Sequence, residues 1–258
     1  MYDTPKNCIE FRLWGRYALF TDPLTKVGGE KCSYHIPTYE ALKGVCKSIY
    51  WKPTIIWIVD SVRVMRRVQT QTKGTKPLDI NRGGNTLSIY TFLTGEKVDA
   101  QSNQVEKGVE YQVRAHFEMN LNQASLEKDR IDGKHYAIAR RMLERGGRQD
   151  IFLGTRDCQG YVDPCSFGEG EGAYDRDKEI SYGLMFHGFD YPDETGKEEL
   201  VARFWRPVMK NGRIDFIRPD SSEILRKSVR PMTAKIFGFE EKNVKPVEIE
   251  ADELGVVE

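Results

Sequence analysis

Within RAHFEMN (114–120), Arg114, His116 and Glu118 recur two residues apart, separated by Ala115 and Phe117. Read as a strand, the stretch turns Ala115, Phe117 and Met119 to one face and Arg114, His116, Glu118 and Asn120 to the other. A histidine can accept or give up a proton near neutrality, and a guanidinium can neutralise an oxyanion. That polar face fits either a solvated sheet surface or a site that handles a phosphate. The other histidines are His35 in a loop, His135 opening a helix and His187 in a later strand. His116 alone falls in the middle of the expected central sheet with a cation two residues away.

Other chemistries find no pattern to carry them. The glycine pairs at 28–29, 83–84 and 146–147 match neither the phosphate-loop motif nor the dinucleotide fingerprint, and read as turns. There is no GxSxG elbow for a serine hydrolase and no HExxH for a metal hydrolase. Five cysteines, Cys8, Cys32, Cys46, Cys158 and Cys165, include no CxxC pair. Cys158 and Cys165 have no histidine near them, so neither zinc nor another cofactor is expected. Reduced thiols and a cytoplasmic location are expected instead. The longest apolar runs, such as TIIWIV (54–59), are strand-sized, and the amino terminus lacks the apolar core of a secretory signal. No membrane partner is expected.

The 258 residues carry 39 basic and 39 acidic side chains, and the zero net charge conceals an uneven distribution. Lys43, Lys47, Lys52, Arg63, Arg66, Arg67, Lys73 and Lys76 are interrupted by one acid, Asp60. From Glu240 onward there are seven acids against Lys242 and Lys245. A basic run of this kind is either a set of solvated faces or a surface for a polyanion.

The elements that would position these residues alternate between two periods. CIEFRLWGRYALF (8–20) reads as a strand. TYEALKGVCKSIY (38–50) reads as a helix capped by Thr38 and ended ahead of Pro53. TIIWIVDSVRVMRRVQTQT (54–72) reads as one long strand whose pattern slips at Met65–Arg67, where a bulge is expected. TLSIYTFL (86–93) and VEYQVRAHFEMN (109–120) are further strands, KHYAIARRMLERGG (134–147) a second helix, and IFLGT (151–155) a closing strand. Without the strand at 86–93, the order is βαββαβ. The predicted class is therefore α+β: a ferredoxin-like, RRM-like domain over 1–155 with one inserted strand. A small antiparallel sheet region over 156–238 follows, with a tight turn at Asn211-Gly212, and then an acidic tail over 239–258 expected to be disordered.

The run FTDPLTKVGGEKCSYHIPTYEALKGVCKSIYWKPTIIWIVDSVRVM (20–65) resembles the amino-terminal signature of the CRISPR-associated Cas5 family in its subtype I-C form. The combination of PTYEALKG with IYWKP is distinctive, and the likeness returns at YQVRAHFEMN. The resemblance implies a metal-independent endoribonuclease that cleaves precursor CRISPR RNA within each repeat. It also implies retention on the 5′ handle of the crRNA, with the backbone and large subunits of a type I-C surveillance complex as partners. In the family, cleavage is assigned to a tyrosine after the first helix and a neighbouring lysine–histidine pair on a later strand. Tyr50 and His116 match the tyrosine and the histidine; Ala115 stands where the lysine would, and Arg114 is the nearest cation.

Those residue types suit cleavage by the adjacent ribose 2′-OH, which needs a base, an acid and a cation beside the phosphorane. His116 serves as base or acid, Tyr50 as proton donor or ribose-orienting group, and Arg114 as the cation. Further RNA contacts are expected from Lys26, Lys31, Lys43, Lys47, Lys52, Arg66, Arg67, Lys73, Lys76 and Arg82, with Trp51 as a stacking platform. Two other readings stay open: a non-catalytic subunit that caps the 5′ handle, and a protein that binds duplex DNA through its basic run.

Overall fold

The computed structural model describes residues 6–23, 25, 30–75, 88–98 and 105–256. Strand β1 (Ile9–Gly15) leads through a short β2 (Lys31–Cys32) to helix α1 (Tyr39–Ile49). Strands β3 (Ile55–Val64), β4 (Arg67–Thr75), β5 (Ser88–Val98), β6 (Val105–Lys107) and β7 (Val109–Met119) follow, and then helix α2 (Asp132–Glu144). Next come β8 (Ile151–Phe152), β9 (Gln159–Pro164), β10 (Glu179–Ser181), β11 (Met185–Asp190) and the one-turn helix α3 (Pro192–Thr195). The chain closes with β12 (Glu199–Trp205), β13 (Val208–Lys210), β14 (Arg213–Asp215), β15 (Leu225–Pro231) and helix α4 (Val247–Leu254).

The largest sheet runs β10-β13-β14-β3-β7-β1-β9-β8, and each of its pairings is antiparallel. Its centre, β3-β7-β1-β9 with α1 and α2 packed on one face, is broadly ferredoxin-like and confirms the α+β class. Along β7 the odd positions Val109, Tyr111, Val113, Ala115 and Phe117 are all buried among core residues. They meet Phe11 and Leu13 of β1, Trp57 and Val62 of β3, and Ile138 and Met142 of α2 in one apolar layer.

Helix α1 starts where its cap predicts. The Thr38 hydroxyl accepts the Ala41 amide at 3.2 Å, and Tyr39, Leu42, Cys46 and Ile49 turn inward. It stops at Tyr50, whose backbone is extended and whose carbonyl accepts the Trp57 indole N–H at 2.7 Å. Helix α2 ends on Gly146 and Gly147, whose positive φ values of 83° and 107° are open to glycine at little cost. The Asn211-Gly212 turn joins β13 to β14 with φ of 48° and 76°, the double positive-φ geometry that this dipeptide favours.

Four expectations need correction. The single strand over 54–72 is two: the chain leaves the large sheet at Met65 and Arg66, and β4 pairs with β5 in a four-stranded sheet, β2-β5-β4 with β6 on β5. Arg66 holds that exit, because its guanidinium grips Glu110 of β7 at 2.8 Å. The closing strand is not IFLGT; β9 takes the place beside β1 and leaves Ile151–Phe152 as an edge hairpin. β9 offers only Gly160 and Val162 to the interior, so its periodicity is too weak to read. The large sheet also continues past residue 155, since β10, β13 and β14 extend it beyond β3, while β11-β12-β15 form a separate three-stranded sheet. Finally, the acidic tail carries α4, which buries Val247, Glu250 and Ala251.

The three-stranded sheet is tied to α1 by aromatic stacking. His187 of β11 lies on the Tyr39 ring at 4.2 Å, donates from Nε2 to the Ile217 carbonyl at 3.1 Å, and meets Trp205 edge-on. Burial, reinforced by the nearby Arg203 guanidinium, pushes its pKa down to about 3. Burial also holds His135 below its ordinary value. Unfolded histidine titrates near ~6.5, so below that pH the unfolded chain binds a proton that folded His187 refuses. Stability should be full above ~6.5 and fall as pH drops toward 3, with His187 contributing a loss of about 2 kcal/mol at pH 5. Chemical denaturation at pH 7 and pH 5 checks this: His187→Gln should reduce the difference and leave the part due to His135.

Candidate functional site

The outer face of β7 presents Glu110, Gln112, Arg114, His116 and Glu118, the positions that alternate with the core set. β7 is regular along this stretch, so Arg114 and His116 do share a face. The irregularity lies across from them in β3, where the register shifts between Val59 and Ser61 and leaves Asp60 as the extra residue. A bulge re-aims its side chain, and here the Asp60 carboxylate meets His116 Nδ1 at 2.9 Å. The other ring nitrogen, Nε2, lies 3.7 Å from a Glu118 oxygen. His116 itself is 7% exposed. Glu118 and Arg218, which pair at 2.9 Å, are close to half exposed and form the rim beside it.

Arg114 is held from two sides. Its Nε donates to Glu10 at 2.7 Å, and its guanidinium lies 4.6 Å from the centroid of the Phe167 ring. Arg213 approaches the same ring at 5.4 Å and also donates to the Ser61 hydroxyl at 3.1 Å. From Arg213 a cleft of about 550 Å³ opens past Lys210 and Arg206 toward Trp205 and Leu225. The assembled face holds a carboxylate-oriented imidazole, a guanidinium two residues away, and alongside them a cleft where Arg206, Lys210 and Arg213 are interspersed with Asp215 and Glu223. Such a face can orient a phosphodiester, move one proton through His116 Nε2 and offset charge on the phosphate.

Tyr50 is elsewhere. It lies under the helices, fully buried, on the opposite side of the sheet from His116. Its hydroxyl donates to His135 Nδ1 at 2.8 Å, and His135 Nε2–H donates to the Asp129 carbonyl at 2.7 Å. Burial, with Glu250 and Asp129 nearby, pushes the phenol well above its ordinary range. The expected grouping of Tyr50 with His116 is thus not formed here; the histidine that Tyr50 meets is His135, which follows Lys134 in the sequence's Lys-His dipeptide. Tyr50 follows the helix end and points into the core, whereas His116 alternates outward from β7.

The basic run divides by burial. Lys43 is 1% exposed and paired with Glu194 of α3, which Lys47 also reaches at 3.0 Å. Lys52 is 5% exposed and sits between Glu250 at 3.2 Å and Asp129 at 3.6 Å. Arg66 is spent on Glu110. These three stabilise the interior and are not presented to a ligand in this structure. Arg67 is largely exposed, bonded to Asp177 at 3.2 Å and set over the Tyr174 ring. Lys73 lies 3.8 Å from the Tyr17 ring centroid, and its proximity lowers the Tyr17 pKa; Lys31 lies 4.7 Å from that of Tyr90. Trp51 is 40% exposed and meets Phe237 edge-on at 6.0 Å, at the wall of a cleft of about 310 Å³ that also holds Lys47 and Lys235. Lys26, Lys76 and Arg82 lie outside the described residues.

Sequence reasoning missed Asp60, Phe167 and Arg213. Asp60 left a signal, being the one acid in the basic run from Lys43 to Lys76. Arg213 left another, as Lys210 and Arg213 flank the Asn211-Gly212 turn. Phe167 sits in a glycine-rich polar loop and left none. Among the described residues, no group of three or more His, Cys, Asp or Glu side chains is placed to hold a metal ion. None of their helices is long and apolar enough to cross a membrane.

The family described as CRISPR-associated protein (Cas_Cas5) matches residues 8–217. A CRISPR pre-crRNA endoribonuclease, Cas5d, from Mannheimia succiniciproducens is 27% identical over 227 residues, which is 81% of this chain and 94% of that protein. A second Cas5d with the same description, from Thermus thermophilus, is 28% identical over 200 residues, 77% of this chain and 80% of that protein. A crystal structure of a CRISPR-associated protein superposes with a TM-score of 0.67 at 32% identity, covering 87% of this chain and 98% of that one. The matched span runs from the start of β1 to just past β14 and includes Asp60, Arg114, His116 and Phe167, and the chain belongs to the Cas5 family of CRISPR-associated proteins.

Proposed function

We propose that the protein is a pre-crRNA endoribonuclease that cuts each CRISPR repeat without metal, by attack of a ribose 2′-OH on the neighbouring phosphate. The observation that carries the reading is likeness over 94% of the length of a relative described by that activity, joined to a carboxylate-oriented histidine on the sheet's outer face. In this scheme His116 Nε2 takes the 2′-OH proton, and Asp60 stabilises the imidazolium that results. Arg114, set against Phe167, offsets charge on the phosphorane. The cut leaves a 2′,3′-cyclic phosphate and a 5′-OH. The leaving 5′ oxygen takes its proton from solvent, since Tyr50 lies on the opposite side of the sheet from His116 and does not reach the same phosphate. RNA runs over Lys31, Lys47, Arg67 and Lys73, the central strands serve as an RRM-like platform, and the product is kept by its 5′ handle within a type I-C surveillance complex in the cytoplasm.

A second reading, a non-catalytic subunit that caps the handle, is favoured by one observation: Tyr50 is buried and apart from His116. Cleavage of the cognate repeat in excess EDTA separates the two. Wild type should cut, His116→Ala should slow the cut by ~10²–10⁴-fold with binding intact, and Asp60→Asn by at least ~10-fold. Tight binding with no cutting by wild type would leave the capping subunit. In the same binding assay, Arg67→Ala and Lys73→Ala should each flatten the dependence of log affinity on log salt by roughly 0.7. Competition with unrelated duplex DNA should leave repeat binding unchanged.

A further inference from the structure

Helix α4 sits over the corner that holds Tyr50, and polar contacts do much of the holding. Its apolar contacts are few: Val247 and Ala251 are buried, and Leu254 packs partly buried against the core. Its third buried residue, Glu250, lies between two cations, with Lys52 Nζ 3.2 Å from one carboxylate oxygen and the Arg148 guanidinium on the other. Arg148 in turn lies 5.8 Å from the centroid of the Tyr50 ring. The Val247 amide donates to Asp129 at 2.6 Å, and Lys134 meets Glu248 at 3.4 Å. An eight-residue helix is too short to persist alone in water, so it exists only while docked.

A carboxylate held by a lysine and an arginine occupies the kind of position a phosphate would take. The Lys52 head is inside, but Arg148 is 41% exposed, so the pair reaches solvent through Arg148 even with α4 docked. Glu250 also belongs to the most acidic stretch of the chain.

We propose that Lys52 and Arg148, beside Tyr50, form a phosphate-binding site for RNA, and that Glu250 fills this site in the free protein as an intramolecular stand-in. An RNA phosphate competes with Glu250, α4 undocks, and Tyr50 and His135 lose their cover. The RNA assignment rests on the proposed function above; the anion site does not.

Two experiments on the full-length protein keep these parts distinct. In the first, inorganic pyrophosphate is titrated against Glu250→Gln, with the thermal midpoint as readout. The variant should be stabilised by pyrophosphate, whereas wild type and the exposed control Glu248→Gln should not. Equal behaviour of all three would overturn the anion site. In the second, repeat RNA is added and amide exchange is followed over 247–254. Wild type should lose protection there on binding, and Glu250→Gln should bind RNA at least ~10-fold more tightly. Retained protection with unchanged affinity, alongside a positive pyrophosphate result, would overturn RNA as the ligand and keep the site. Loss of protection without cleavage in EDTA would uphold the inference and count against the enzyme.

Discussion

Strand β7 is paired with β1 on one side and β3 on the other, and the rest of the molecule depends on that double pairing. It fixes the side-chain alternation: five residues of β7 join the core on which both helices pack, and the intervening ones form the wall of the outer site. A one-residue slip would exchange the two faces and place Phe117 where His116 stands. The regular pairing of β7 with β1 guards against that, and the irregularity needed to bring a carboxylate to His116 is confined to β3 at Asp60. Stability and site geometry therefore come from the same strand, divided between its two faces.

Charge follows a similar division. Lys43, Lys52 and Arg66 look alike in the sequence to Lys47, Arg67 and Lys73, yet the first three are buried against Glu194, Glu250 and Glu110. A buried cation costs several kcal/mol unless it is paired, so each fixes the position of an acid from a distant part of the chain. Lys43 fixes α3, Lys52 fixes α4, and Arg66 fixes the point where the chain leaves the main sheet. Fewer cations than the charge count suggests remain to meet a polyanion, and Arg206, Lys210 and Arg213, outside that run, add to them.

What could be read from the sequence was local. Thr38 as a cap, the paired glycines ending α2 and the Asn211-Gly212 turn were legible because each is decided by a few neighbouring residues. The shared face of Arg114 and His116 was legible from period-two alternation. The place of β9 was not, since QGYVDP sends only Gly160 and Val162 inward and its neighbour is β1, about 150 residues earlier. Helix α4 was hidden for a related reason: its composition is that of a solvated tail, and its partners Lys52 and Arg148 are far away in sequence. The resemblance correctly pointed to the family, but the side of the sheet on which Tyr50 lies is a tertiary fact that motif spacing does not carry.

In the proposed reaction the outer face around His116 meets the scissile phosphate. The most direct test places 4-thiouridine next to the scissile position of a repeat RNA made uncleavable by a 2′-deoxy substitution, and maps the photo-crosslink by mass spectrometry. Attachment is expected at residues 110–120 or in the segment carrying Phe167. Crosslinks confined to the corner of Tyr50, Trp51 and Arg148 would contradict it and move the chemistry to the other side of the sheet.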